Sequence, residues 1–213
     1  MKPRTSSERF HFFLLFCFLA VLVWSVIHPK DLFTWSLEVF PAVLGVIVLL
    51  AAYNRFRLTT LLYVLILTHA IILFIGGHYT YAEMPLFNWI RDTFHLSRNH
   101  YDRLGHFAQG FIPAIIAREI LLRTTPLRRG KMLVFLVICI CLAISAAYEL
   151  LEWGMAVATG SAADAFLGSQ GDVWDSQLDM FFCLCGTITS LVTMSRLHDR
   201  FLSQMPTSQT PTK

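Results

Sequence analysis

The longest apolar run of the chain is MLVFLVICICLAISAAYELLEWGMAV, residues 132–157. It is longer than the roughly 20 apolar residues that a membrane-spanning helix needs, and Glu149 and Glu152 are its only charged residues. The whole chain has the same character, with 55% hydrophobic residues, 15% charged residues and a mean hydropathy of +0.58. Soluble domains carry about 25% charged residues. The sequence therefore predicts an all-α membrane protein.

Six apolar runs of suitable length follow one another along the chain. They cover residues 10–27, 35–53, 59–75, 104–122, 132–157 and 177–195. The first run ends in Ile27-His28-Pro29-Lys30 rather than in the small residues of a cleavage site, so we expect an uncleaved helix. These runs predict one membrane domain over residues 1–201, a polytopic bundle of six transmembrane helices. Residues 202–213, rich in Ser, Thr, Gln and Pro, predict a disordered tail.

The basic residues predict the orientation of this bundle. Most of the 17 Lys and Arg residues precede the first run, follow the sixth, or lie between runs two and three and between runs four and five. Because basic residues are retained on the cytoplasmic side, both ends are expected in the cytoplasm, N-in and C-in. Arg118 and Glu119 are expected to snorkel to the inner face. A short interfacial helix is predicted over Pro85–Leu96 in the outer connection.

Polar residues of several helices are predicted to meet near the outer face. At about 1.5 Å of rise per residue, the carboxylates and histidines of the last four runs and their flanks fall at one bilayer level. Such groups are costly in a membrane unless they pair or line a wet cavity. The candidate catalytic residues are His106 and Asp102, four residues apart on one helix face. The candidate substrate or ion ligands are His78, Glu83, Glu149, Glu152, Asp172, Asp175 and Asp179.

Several functions are compatible with this polar site. His106, oriented by Asp102, would suit a general acid or base acting on a lipid or cell-envelope substrate. The excess of carboxylates also suits binding or transport of a cation or small solute, and a scaffold with polar packing only is a third alternative. Carboxylates with histidine suit a divalent cation, although the chain has no H-E-x-x-H spacing and the cofactor is left unknown. Membrane lipids are the expected partners; with a net charge of +3 and no basic stripe, nucleic acid is not.

The same residues resemble those of a known family. The stretch Asp102-Arg103-Leu104-Gly105-His106-Phe107 resembles the D-K-x-x-H-F opening of the VanZ-like membrane proteins. Glu149 stands where that family has a Glu inside a later helix. Asp172 and Asp175 match its D-x-x-D pair, and Asp179 replaces the Asn that follows. The resemblance covers residues from about 102 to 190 and implies no activity by itself.

The chain also departs from the VanZ-like pattern. Glu152 stands where many members have Gln, Gly171 where an Arg is often found, and Phe182 replaces a Gly. The whole chain, including Gly76–Tyr81 and Tyr148–Trp153, resembles the uncharacterised YjdF-type bacterial inner-membrane proteins. That resemblance implies a multi-pass location in the inner membrane and no established activity.

Overall fold

The computed structural model describes residues 6–160 and 164–205. Within these ranges the chain forms helices and contains no β-strand, which confirms the all-α prediction. The helices are α1 Ser6–Val26, α2 Leu32–Ala52, α3 Thr60–Tyr79, α4 Pro85–Phe94, α5 Tyr101–Thr124, α6 Lys131–Thr159, α7 Asp164–Leu167 and α8 Asp175–Ser203. One 3₁₀ turn, Tyr81–Glu83, separates α3 from α4.

Five of these helices, α1, α2, α3, α6 and α8, are long and apolar enough to cross a membrane. The remaining long helix, α5, has 24 residues and overlaps the fourth predicted span, but it carries charged residues near both ends. The last helix, α8, extends to Ser203. Residues 206–213, where most of the disordered tail was predicted, lie outside the described residues.

The long helices pack in two groups that meet at α5. One group is α1, α2 and α3, whose shared core contains Phe18, Val39 and Phe74. The other is α5, α6 and α8, which bury Val137 and Cys183 between them. Contacts between α3 and α5 join the two groups. The central position of α5 explains how this charged helix is accommodated, because its polar side chains face other helices.

The α5 and α8 backbones touch at two glycines. A Cβ atom at Gly110 would lie 1.8 Å from the carbonyl oxygen of Cys183, and one at Gly186 would lie 2.0 Å from that of Phe107. Neither position has room for a side chain, since the neighbouring atom belongs to the backbone. Small residues permit this approach of helices in membranes. The contact fixes the register of α5 against α8, the two helices that carry most of the polar site.

A buried ion network joins α3, α5 and α8 at the end of the bundle opposite the predicted site. Glu119 is fully buried and accepts hydrogen bonds from Thr59, Arg123 and His198. Arg118, also buried, contacts His198 Nδ1 at 2.7 Å. The prediction that Arg118 and Glu119 snorkel to the membrane surface is therefore wrong. Both side chains pair with groups on neighbouring helices, so their charges are compensated without contact with water.

A helix, α4, is present where the interfacial helix was predicted. It begins with Pro85 at its first turn, a position where the missing N–H costs nothing, and ends at Phe94. His95 follows in the left-handed conformation, with φ of 53°. Leu86 and Trp89 on α4 are exposed, as suits a helix lying among lipid head groups.

Candidate functional site

The polar residues lie close to one end of the bundle. Asp102 and His106 are in the first two turns of α5, Asp179 is in the second turn of α8, and Glu152 is two turns before the end of α6. At about 1.5 Å of rise per residue, these side chains start within roughly 10 Å of the helix ends. The antiparallel order of the helices thus brings residues far apart in sequence to one level.

Two buried arginines hold the aspartates of α8 and its preceding loop. Arg98 Nη1 lies 2.5 Å from Asp175 Oδ1, and Arg103 Nη2 lies 2.6 Å from the same oxygen. Arg103 also binds Asp179 through Nη1. Both arginine side chains are 5% exposed. Arg98 additionally donates to the carbonyl oxygens of Gly168 and Ser169, so the segment before α8 is fastened to the start of α5.

Asp172 closes the turn that leads into α8. Its Oδ1 accepts the Trp174 N–H at 2.9 Å, and its Oδ2 lies 3.2 Å from Arg103 Nη2. The Trp174 N–H, followed by the charges of Arg103 and Arg98, holds the pKa of Asp172 below its ordinary value. Asp172 therefore positions the turn and the arginines, at the rim of the polar site.

His106 is the point where three helices of the site meet. Its Nε2 lies 3.5 Å from Asp102 Oδ1 and 3.6 Å from Asp179 Oδ1. On the other side of the ring, Nδ1 lies 3.0 Å from Gln109 Oε1 and 3.8 Å from Glu149 Oε1. Asp102, His106 and Asp179 each offer a ligand atom, and these atoms all lie within 4.8 Å of one another. The structure thus brings four predicted site residues together around one imidazole.

A polar cavity of about 160 Å³ opens beside His106. Three carboxylates line it, those of Glu38 on α2, Asp102 on α5 and Glu152 on α6. Tyr81 and Tyr148 add phenol groups to the wall. Among the described residues that line this cavity there is no lysine or arginine, so its wall is acidic. The cavity continues past His69 and Pro113 toward the middle of the bundle.

An apolar groove adjoins the polar cavity. It has a volume of about 860 Å³ and lies between α2 and α6, with residues of α3 and α5 in its floor. Leu44, Val48 and Leu151 are among its exposed apolar side chains. The two spaces share wall residues, which are Pro41, His69, Leu73, Ile144 and Tyr148. An amphipathic molecule could therefore place a polar end and an apolar end in connected spaces.

His78 and Glu83 were predicted to belong to this site, and the structure places them elsewhere. His78 stacks on Trp24 with 4.5 Å between ring centroids, and its Nδ1 lies 3.1 Å from the Ser25 carbonyl oxygen. Glu83 forms an exposed ion pair with Lys30. Both side chains lie on the α1–α2 side of the bundle. The other seven predicted residues contribute to the arginine cluster, to the surroundings of His106 or to the polar cavity.

Sequence reasoning missed four residues of the site. These are Glu38, Tyr81, Gln109 and Tyr148, which line the polar cavity. Glu38 had a usable signal, because a carboxylate inside an apolar run of membrane length suggests a functional position. It is 5% exposed and interacts electrostatically with Asp102 and His106. The two tyrosines carried no such signal, since tyrosine is common in membrane helices.

Comparison with known proteins places the chain in a family. The family model described as predicted membrane protein (DUF2238) matches residues 10–200. The chain belongs to this family. It is also 51% identical over 182 residues to the inner membrane protein YjdF of Escherichia coli (strain K12), a match that covers 85% of this chain and 87% of that protein. No solved structure matches it. The chain is accordingly a multi-pass inner-membrane protein of a family with no established activity.

Proposed function

We propose that this protein binds an amphipathic molecule of the lipid class in the space between α2 and α6. The polar head would occupy the acidic cavity and the apolar part would lie in the groove. The observation that carries this proposal is the shared wall of the two spaces, formed by Pro41, His69, Leu73, Ile144 and Tyr148. Ligand sites of this kind combine a large apolar lining with a few converging polar groups.

The charge of the cavity indicates the chemistry of the head group. Carboxyl groups of Glu38, Asp102 and Glu152 face the space, whereas Arg98 and Arg103 do not line it and lie closest to Asp175 and Asp179. A head group with an ammonium or several hydroxyl groups would donate to these oxygens. A bare phosphate would meet no lysine or arginine among the described residues of the wall. We therefore favour a lipid with an amine or sugar head over an acidic phospholipid.

His106 and Asp102 are the residues that we assign to proton transfer, should the protein act on this molecule. Nδ1 of His106 lies 3.0 Å from Oε1, the side-chain amide oxygen of Gln109, which accepts and therefore favours a proton on that nitrogen. Nε2 is then free to accept a proton beside Asp102, and a histidine so placed can act as general base. Under this assignment, His106→Gln at unchanged protein abundance should abolish any chemical conversion of the bound lipid, whereas conversion at the parent rate would refute it.

Lipid binding in the groove can be tested by substituting two glycines whose surroundings leave room for a side chain. Gly45 lies on α2 and lines the groove, whereas Gly154 lies on α6 and lines neither cavity. A Cβ atom at either position would meet nothing within 4 Å. Gly45→Trp should therefore fill the groove without a backbone clash. Gly154→Trp introduces the same side chain on an exposed face and serves as the matched control.

Native mass spectrometry after detergent washing provides the readout. The parent and Gly154→Trp should retain a bound lipid, and Gly45→Trp should lose it. In mixed vesicles, phosphatidylethanolamine should be retained in preference to phosphatidylglycerol, because only the former carries an amine. Equal lipid retention by the two tryptophan variants, or no retention by the parent, would contradict the proposal.

We further propose that α5 is a sixth span and that both chain ends are cytoplasmic. Support comes from the length of α5, from its central packing against α3, α6 and α8, and from the distribution of basic residues. Reporter fusions in the connection 53–59 and after residue 203 should both report the cytoplasm. A reporter at residue 96 should report the opposite side. If the fusion in the connection 53–59 and the fusion after residue 203 reported opposite sides, an odd number of spans would lie between them. That result would contradict the proposal that α5 is a span.

The VanZ-like resemblance of residues 102–190 is likewise a proposal. Its support is spatial: the residues that carry the resemblance, Asp102, His106, Glu149, Asp175 and Asp179, gather at the start of α5 and α8 and near the end of α6. An experimental structure of a VanZ-like protein with the same residues gathered in the same order would support it. A different arrangement of those residues would refute it.

A further inference from the structure

The surroundings of His106 have the dimensions of a metal site. Nε2 of His106 lies 3.5 Å from Asp102 Oδ1 and 3.6 Å from Asp179 Oδ1. Ligands about 2.0–2.2 Å from a tetrahedral cation are separated from one another by about 3.3–3.6 Å. A cation placed between the three atoms would therefore reach all of them with little movement of the side chains.

The hydrogen bonds around the three residues also suit ligands. Gln109 Oε1 accepts from Nδ1 of His106 at 3.0 Å, which leaves the Nε2 lone pair directed at the carboxylates. Metal-binding histidines characteristically use their second nitrogen in this way. Asp102 divides its oxygens, with Oδ1 toward His106 and Oδ2 toward Arg98 and Arg103 at 3.4 and 3.6 Å. The arginines hold the Asp102 carboxylate through the oxygen that faces away from the imidazole. Asp179 Oδ1 faces the imidazole and also accepts from Arg103 Nη1, so a cation would use a second lone pair of that oxygen.

A fourth side chain points to a missing positive charge. Glu149 is 8% exposed and directs Oε1 toward His106 at 3.8 Å. This oxygen is buried and has no hydrogen-bond partner among the described residues. A buried carboxylate oxygen without a partner is costly, and a cation would remove that cost. Glu149 lies on the Nδ1 side of the ring and not beside Nε2, so it indicates uncompensated negative charge next to the three residues and is not itself a ligand.

The charge balance of the region points the same way. Seven carboxylates gather around the site, whereas Arg98 and Arg103 supply only two permanent positive charges. The carboxylates are those of Glu38, Asp102, Glu149, Glu152, Asp172, Asp175 and Asp179. Carboxyl groups this close together and largely removed from water need either protons or a bound cation to compensate their charge.

We propose that Asp102, His106 and Asp179 bind a divalent transition-metal cation such as Zn²⁺ or Mn²⁺, whose charge would also offset that of Glu149 on the Nδ1 side of the ring. The imidazole favours these ions over Mg²⁺ and Ca²⁺, which prefer oxygen ligands alone. The site goes beyond lipid binding, because it rests on other contacts and holds whether or not the groove takes a lipid. A bound cation also makes His106 a ligand and not a general base, so metal content decides between those roles.

The test is metal loading of the whole chain, purified in detergent without an affinity tag. After chelation and reloading with Zn²⁺ or Mn²⁺, the parent should retain about one ion per chain through desalting. His106→Asn and Asp179→Asn should each weaken binding at least tenfold, since outer-shell changes alone cost about 10–100-fold. Gln109→Leu should fall within that outer-shell range.

Two exposed residues of the α4 region provide the controls. His95→Asn removes an imidazole and Asp92→Asn removes a carboxylate, both remote from the site. Asparagine also tolerates the left-handed backbone that His95 adopts. These variants should bind the metal like the parent. Equal binding by the His106 variant and its control would overturn the proposal, and so would a parent that retains no ion.

A measurement on the parent alone covers the case in which a site variant does not fold. Electron spin-echo modulation of bound Mn²⁺ should reveal coupling to one directly ligated imidazole nitrogen, because the site contains a single histidine. Bound Mn²⁺ without nitrogen coupling would place the ion elsewhere and overturn the assignment. Lipid retention by the metal-free parent separates this outcome from the fate of the lipid proposal.

Discussion

Replacing Arg103 by Met tests whether the ion cluster holds α5 to α8. The arginine side chain is 5% exposed, and ion pairs link it to four carboxylates, those of Asp102, Asp172, Asp175 and Asp179. Met preserves most of the apolar volume of the side chain but removes the charge. Asp179, only 1% exposed, would then keep a negative charge without its arginine.

The expected magnitude follows from that burial. Removing one partner of a buried ion pair costs about 3–5 kcal/mol, because the other charge stays buried without compensation. For a domain of 150–250 residues, 1 kcal/mol lowers the melting temperature by about 2–4 °C. Arg103→Met should therefore melt about 6–20 °C below the parent in the same detergent.

A double variant separates the ion pair from loss of packing. Adding Asp179→Asn to Arg103→Met removes the stranded charge, so part of the lost stability should return. The coupling energy expected for residues in contact is about 0.5–3 kcal/mol. Arg91→Met, at an exposed pair with Asp92, is the control and should melt with the parent.

Thermal unfolding, followed by tryptophan fluorescence and by size-exclusion recovery, gives both the change in melting temperature and the coupling energy. One contrary result is an Arg103→Met variant that melts within about 2 °C of the parent. The other is a double variant as unstable as the sum of the two single changes. Either result would mean that the carboxylates do not depend on Arg103 for compensation.

Three further outcomes follow from the structure. Gly186→Ala should destabilise by at least about 1–3 kcal/mol, because its Cβ would meet the Phe107 carbonyl oxygen, whereas Gly154→Ala should leave the melting temperature unchanged or slightly raised. Glu119→Gln should cost about 3–5 kcal/mol in detergent unfolding, whereas Glu83→Gln, at an exposed pair, should cost about 0–1 kcal/mol. The pKa of Asp172 is lower in the folded chain than the value near 3.8 expected for the unfolded chain. Its ionised form therefore stabilises the turn before α8 at pH values above 3.8, and this stabilisation is lost as the pH falls through the lowered pKa. Hydrogen exchange over residues 170–176 should accelerate over that range in the parent but show no such step in Asp172→Asn.

Helix ends and the level of the polar site could be predicted because both depend on distance along the chain. Run lengths placed the long helices to within several residues, and the rise per residue placed Asp102, His106, Glu149 and Asp179 at one level. The same counting gives no information on position around the bundle. His78 and Glu83 are accordingly at the expected end but on the side of α1 and α2, beside Trp24 and Lys30.

The remaining errors come from contacts between helices that are remote in sequence. Glu119 was expected at the surface, but Thr59 and His198 bring donors from α3 and α8 that no local pattern reveals. Glu38 lines the cavity because α2 and α5 both pack against α3. Side-chain packing sets this arrangement, and the spacing of apolar residues along the sequence does not reveal it. Backbone contact at Gly110 was equally invisible, since a lone glycine in an apolar run has many uses.

The most direct test of the central claim is a cryo-electron microscopy map of the protein in lipid nanodiscs, with a rigid binding fragment to aid alignment. Elongated density should lie between α2 and α6 and pass Pro41 and Tyr148. Its polar end should lie within hydrogen-bond distance of Glu38 or Glu152. A map in which α2 packs directly against α6, or in which side chains fill the groove, would contradict the account.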